Sequence, residues 1–135
     1  MAYASDESGK WQIYVRPFPN VDGGKWPVST GGGHSPLWSP DNRELFYRNG
    51  DEIVAVPVKT GPAFIAETPK VLFRGKYVSA LALILQPWDI SPDGKRFLMV
   101  KPPVSAGDAS GIAGSRKINI VLNWFEELKQ RVPVK

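Results

Sequence analysis

The chain has 135 residues, a formal charge of +4, five tryptophans and no cysteine. That length suits one domain of ~100–200 residues, and a content of 42% hydrophobic and 11% aromatic residues is too apolar for intrinsic disorder. The lack of cysteine excludes a disulfide framework, a thiol nucleophile, a zinc–thiolate site and an iron–sulfur cluster, and no apolar run approaches the ~18 residues of a membrane span.

Read from the N-terminus, short apolar runs with period-two alternation predict β-strands, separated by turns rich in glycine and proline. Residues 2–5 form the first strand and residues 11–15 the second, which Pro17 and Pro19 end because proline cannot donate to a ladder. Asp22-Gly23-Gly24 turns the chain into a strand at 26–29. Gly31-Gly32-Gly33 then reads as a flexible connector to a strand at 36–38. Residues 44–48 and 53–58 flank Asn49-Gly50, a strong hairpin signal. Further strands are expected at 71–73, 88–90, 97–100 and 118–122. Residues 102–115 read as a long surface hairpin loop. Helix is expected only at 124–131, where Asn123 and Glu126 can form a capping box and Pro133 stops the run. The fold class is therefore all-β.

Seventeen Lys and Arg face thirteen Asp and Glu. The cations, among them Lys10, Arg16, Lys25, Arg43, Arg48, Lys95 and Arg96, are scattered singly or in pairs, which reads as solvated faces. Binding to nucleic acid by charge needs them gathered on one stripe, so no nucleic-acid partner is expected. The N-terminal residues lack the basic start and apolar core of a secretion signal. The chain as it stands is expected in the cytoplasm, or outside it if it belongs to a longer protein.

An internal repeat chooses among all-β architectures. Ser39-Pro40-Asp41-Asn42-Arg43 before Glu44-Leu45-Phe46-Tyr47 matches Ser91-Pro92-Asp93-Gly94-Lys95 before Arg96-Phe97-Leu98-Met99, at an offset of 52 residues. A second element, Ile13 to Phe18, matches Ile53 to Val58 at an offset of 40, with Ile120-Val121-Leu122 as a degenerate third copy. Proline fixes φ in such a turn, Asp bonds backbone amides, and Gly accepts positive φ. Units of about 40–50 residues with four strands each are the blades of a β-propeller. The expectation is one partial propeller domain over 1–135: an incomplete blade at 1–30, a complete one at 35–74 and an incomplete one at 87–131.

Trp38-Ser39-Pro40-Asp41-Asn42-Arg43 and Ile90-Ser91-Pro92-Asp93-Gly94-Lys95, each leading into an apolar strand, resemble the TolB-type, WD-repeat-like propeller repeat of bacterial proteins. The run from Trp11 to Tyr47 and the ending Val121-Leu122-Asn123-Trp124-Phe125 are similar to propellers fused C-terminally to bacterial serine/threonine kinases. The resemblance implies a scaffold that binds proteins or ligands and carries no catalytic residues. Asn42 stands where the repeat usually has Gly, a mild change because Asn tolerates the left-handed region.

The residues themselves offer little chemistry. His34 is the only histidine, which excludes a histidine triad and a multi-histidine metal site, and its place after three glycines reads as an exposed linker position. The triple glycine lacks the Lys-Ser/Thr and helix of a phosphate loop. Asp22, Asp41 and Asp93 do not have the spacing of a calcium loop. The five tryptophans read as core and inter-blade packing. No catalytic residue, cofactor or metal is expected, and the chain is read as a non-enzymatic interaction module of a bacterial signalling or sensor protein. Alternatives are the gating propeller of a prolyl-oligopeptidase-like hydrolase and a carbohydrate- or ligand-binding propeller. Loops near Asp6, Glu7, His34 and Asp89 are the expected contact surface. Propellers close with about four to eight blades and this chain carries about three. The partner is accordingly expected to be protein, either a second copy of the chain in a homo-oligomer or the rest of a larger propeller.

Overall fold

A computed structural model of the chain describes residues 1–61, 63–78 and 86–101 and the backbone of 118–121. The described part is built from antiparallel strands and one short 3-10 turn, Val21–Gly23. The helix expected at 124–131 and the loop expected at 102–115 lie outside the described residues. The chain divides into two compact units, Met1–Gly75 and Lys76–Lys135.

In the first unit, β1 (Ala2–Ser5), β2 (Gln12–Val15) and β3 (Trp26–Pro27) form one sheet. Pairing of Tyr3 with Tyr14 and of Val15 with Trp26 sets its register. A second sheet follows from β4 (His34–Trp38), β5 (Glu44–Asn49), β6 (Glu52–Lys59), β7 (Ile65–Ala66) and β8 (Lys70–Arg74). Its order is β4-β5-β6, and β7 and β8 share the far edge of β6, pairing with its end and its beginning. This is a meander of four ribbons whose fourth is broken in two. Every strand read from alternation is present. The two-residue β7 has no alternation to read.

Strand parity assigns each sheet two faces. Ile13, Val15 and Val28 on the first sheet, with Ala2 and Ala4 beside them, pack against Leu45, Tyr47, Val54, Val56 and Val58 of the second. We call the first group the trailing face of its sheet and the second group the leading face of the next. The linker between the sheets is tight: the Gly33 amide donates to the Trp11 carbonyl at 2.8 Å. A Cβ on Gly33 would lie 2.9 Å from Tyr47 Cδ2 and 3.0 Å from Ile13 Cγ1, so only glycine fits this seam. The trailing face of the second sheet is buried as well: Phe46, Arg48, Ile53 and Ala55 are all under 5% exposed. β5 and β6 are thus buried on both faces, and Arg48, at 2%, departs from the solvated position expected of it.

The second unit contains β9 (Trp88–Ile90), β10 (Phe97–Val100) and β11 (Ile118–Val121), in the order β9-β10-β11. Trp88, Phe97 and Met99 are buried on one face, whereas Leu98 and Val100 on the other are 43% and 45% exposed.

The repeated hairpin is the same structure twice. Ser39 Oγ accepts the amides of Arg43 and Glu44 and donates to Asp41, which also accepts the Arg43 amide. Ser91 Oγ likewise accepts the Arg96 amide and donates to Asp93, which accepts the Lys95 amide. The backbone bonds correspond too, Asn42 to Ser39 at 3.0 Å and Gly94 to Ser91 at 2.8 Å. Asn42 and Gly94 take φ of 57° and 70°, the left-handed region the turn demands.

Candidate functional site

Antiparallel order places the turns at 6–10, 30–33 and 49–51 at one end of the first unit, and the loop at 16–25 with residues 60, 61, 63 and 64 at the other. Of the residues expected at a contact surface, Asp6, Glu7 and His34 fall at the first end. Asp6 and Glu7 share the exposed β1–β2 turn, closed by a bond from the Gly9 amide to the Asp6 carbonyl at 2.7 Å. Glu7 is ion-paired with Lys25, whose ammonium sits 4.3 Å from the centre of the Tyr14 ring.

His34 is not an exposed linker residue. It opens β4 opposite Arg48 and is half-buried, with Nδ1 3.0 Å from Ser35 Oγ. Burial, then the Arg48 guanidinium, holds its pKa below the ordinary 6.5. Such a histidine is neutral near pH 7 and a poor general acid. Asp89 belongs to the second unit, exposed on β9, where its carboxylate accepts the Ile90 amide at 2.8 Å. It lines a shallow depression of about 290 Å³ with Ser91, Arg96 and Leu98.

The opposite end of the first unit holds what the sequence did not flag. A cleft of about 560 Å³ opens between the edges of the two sheets. Trp26 from β3, Trp38 from β4, Phe64, Phe18 and Val15 supply its apolar walls, and Arg16, Asn20 and Thr60 its polar groups. Trp26 and Phe64 form a tilted ring pair with centroids 5.5 Å apart. Phe18 is 77% exposed: Pro17 and Pro19 end β2 at Val15, so Phe18 leaves the sheet, whereas Val58, its counterpart in the repeat, stays in β6 and is buried. The volume lies within the range of small-ligand sites, ~300–1,000 Å³. No Asp, Glu or His is among the described lining residues; Met1 also lines the cleft, its amino group donating to the Arg16 carbonyl at 2.7 Å. Of the tryptophans expected in the core, Trp88 is buried, Trp26 and Trp38 pack against the core's edge, and Trp11 is 38% exposed. Trp124 lies outside the described residues.

Among the described residues no three His, Asp or Glu side chains come together to hold a metal ion, and no helix is long and apolar enough to cross a membrane. Comparison with models of known protein families and with curated proteins found no match to this chain.

Proposed function

We propose that this chain is a sector of a β-propeller that works as a non-enzymatic binding module, in keeping with its resemblance to the TolB-type repeat of bacterial signalling proteins. The observation that carries the reading is the hairpin at Ser39–Glu44 and again at Ser91–Arg96, bonded in the same way and in each case joining the first two strands of a sheet. The packing of one sheet's trailing face on the next sheet's leading face supports it, as does the burial of β5 and β6 on both sides.

The binding site is the aromatic cleft at Trp26, Trp38 and Phe64, and the partner is a protein segment. The tilted rings of Trp26 and Phe64 offer apolar walls to a prolyl or aromatic side chain, the mode by which aromatic grooves take extended proline-rich peptides. With Arg16 in the lining and no carboxylate among its described residues, acidic flanking residues are favoured. A titration of the chain with a short peptide of alternating proline and glutamate, followed through the indole N–H signals, tests the assignment. Shifts confined to Trp26 and Trp38 and abolished by Trp38→Ala are expected. Unmoved indoles, or hydrolysis of the peptide, would contradict it.

A further inference from the structure

β1 is an edge of the first sheet, and its bonding pattern shows which groups that edge presents. Met1 and Arg16 exchange both backbone bonds, at 2.7 and 2.9 Å. Alternation along an antiparallel pair then turns Tyr3 and Ser5 toward β2 as well, and turns the N–H and C=O groups of Ala2 and Ala4 to the outer side. In the second sheet the same side is filled. Ala2 and Ala4 stand in register where Phe46 and Arg48 stand in β5, since Val15 and Ile13 correspond to Ala55 and Ile53. There β4 pairs with β5: the Ser39 amide donates to the Glu44 carbonyl at 2.9 Å, and Leu37 lies opposite Phe46. In the third sheet β9 pairs with β10 in the same way, the Ser91 amide donating to the Arg96 carbonyl at 2.8 Å with Asp89 opposite Leu98. Among the described residues no strand pairs with the outer side of β1.

We propose that the β1 edge is a docking site for one extended protein segment of the β4 kind, which adds antiparallel to Ala2–Ser5 as a further strand. Two observations carry this. First, the other described edges of the first unit are blunted. β3 and β7 run two residues each, β8 carries Lys70 and Arg74, and β4 carries Pro36. Short length, charge and proline are what keep an edge from pairing, and β1, Ala-Tyr-Ala-Ser, has four residues with neither a charge nor a proline. Second, β4 shows what fits this position. Leu37 and Ser39 turn their backbone groups to β5, so the N–H that Pro36 lacks falls on the side away from it. A segment of that pattern pairs on one side and ends the sheet instead of extending it. Placed on β1, its leucine stands opposite Ala2, whose methyl leaves the room that Phe46 takes in the second sheet, and its proline comes beside Tyr3, a favourable cross-strand neighbour. Ala2, Tyr3 and Ala4 are not among the residues lining the aromatic cleft, so this is a separate site, and it rests on strand registers and not on the propeller reading.

The test is amide hydrogen exchange on the isotope-labelled full chain, with an unlabelled peptide of the sequence Gly33 to Ser39 as the probe. In the chain alone the Ala2 and Ala4 amides are expected to exchange freely and those of Tyr3 and Ser5, bonded to β2, slowly. With the peptide at roughly ten times its Kd, exchange at Ala2 and Ala4 should slow about tenfold. A peptide methylated on its leucine nitrogen, which would face Ala2, should lose the effect; one methylated on its tryptophan nitrogen, which faces away, should keep it. No protection at about 1 mM peptide, or equal behaviour of the two methylated peptides, would overturn the proposal. So would Ala2 and Ala4 amides that are slow in the chain alone, since another part of the chain then covers the edge, or that slow as the chain itself is concentrated, since a second copy then does. Shifts of the Trp26 and Trp38 indoles without protection of Ala2 and Ala4 would also overturn it, while leaving the cleft as the binding site. Failure here is therefore distinct from failure of the proposed function.

Discussion

Ser39 donates its hydroxyl to Asp41 across 2.7 Å and, through the same oxygen, accepts the Glu44 amide at 2.9 Å. One buried side chain, 6% exposed, therefore fixes both the turn carboxylate and the first amide of β5. Ser39→Ala leaves the amides of Arg43 and Glu44 without that acceptor, and the expected loss of stability is about 1–3 kcal/mol, read by urea denaturation. Ser91→Ala, in a more exposed copy of the turn, should cost less. Equal losses would mean that burial does not set the cost.

The same turns make a prediction in acid. The Ser39 hydroxyl, then the Arg43 amide, holds the Asp41 carboxyl below its ordinary 3.8, and the Ser91 hydroxyl, then the Lys95 amide, does so for Asp93. A carboxyl depressed by folding stabilises above its unfolded pKa and loses that contribution as pH falls through the folded value. Carboxyl NMR titrations should show Ser39→Ala raising the midpoint of Asp41 alone, and Ser91→Ala that of Asp93 alone. No movement in either would show that the hydroxyls are not what hold the carboxyls down.

Gly33 stands between Tyr47 and Ile13 with less than van der Waals room for a Cβ. Its conformation needs no positive φ, so Gly33→Ala tests the seam between sheets by crowding alone. We expect a loss of about 1–3 kcal/mol, the usual cost of overpacking. Gly50→Ala, with open space around it, would lose stability through its φ of 59° instead. A neutral Gly33→Ala would mean that the sheets can part there without cost.

His34 gives the opposite pH sense from the usual salt-bridged histidine. Burial and Arg48 keep its folded pKa below 6.5, so the unfolded chain takes up the proton first as pH falls. Stability should be level above about pH 6.5 and decline below it until the folded value is reached. Because it is the only histidine, its ring signal reports that value directly, and His34→Gln should remove the decline. A midpoint at or above 6.5 would contradict the burial seen here.

Strands were legible in the sequence because alternation and turn residues act locally: the stretches at 2–5, 44–48 and 97–100 lie where the pattern put them. The structure departs from the pattern where a second face is buried. Arg48 looked solvated because alternation assumes one wet face, yet Leu45-Phe46-Tyr47 and Ile53 to Val58 are nearly unbroken apolar runs, the signature of strands covered on both sides. Three glycines before His34 suggest slack, whereas Gly33 is wedged between the sheets and holds His34 at the start of β4. The cleft was invisible for a different reason: Phe18, Trp26, Trp38 and Phe64 come from segments far apart in the chain, and no spacing rule brings them together.

A crystal structure of the chain would test the central claim most directly. The account predicts the first unit as neighbouring blades of a ring, with the Ile13–Val15 face of one sheet packed on the Leu45–Tyr47 face of the next. Strands that instead close into a single barrel, or form two facing layers, would contradict it.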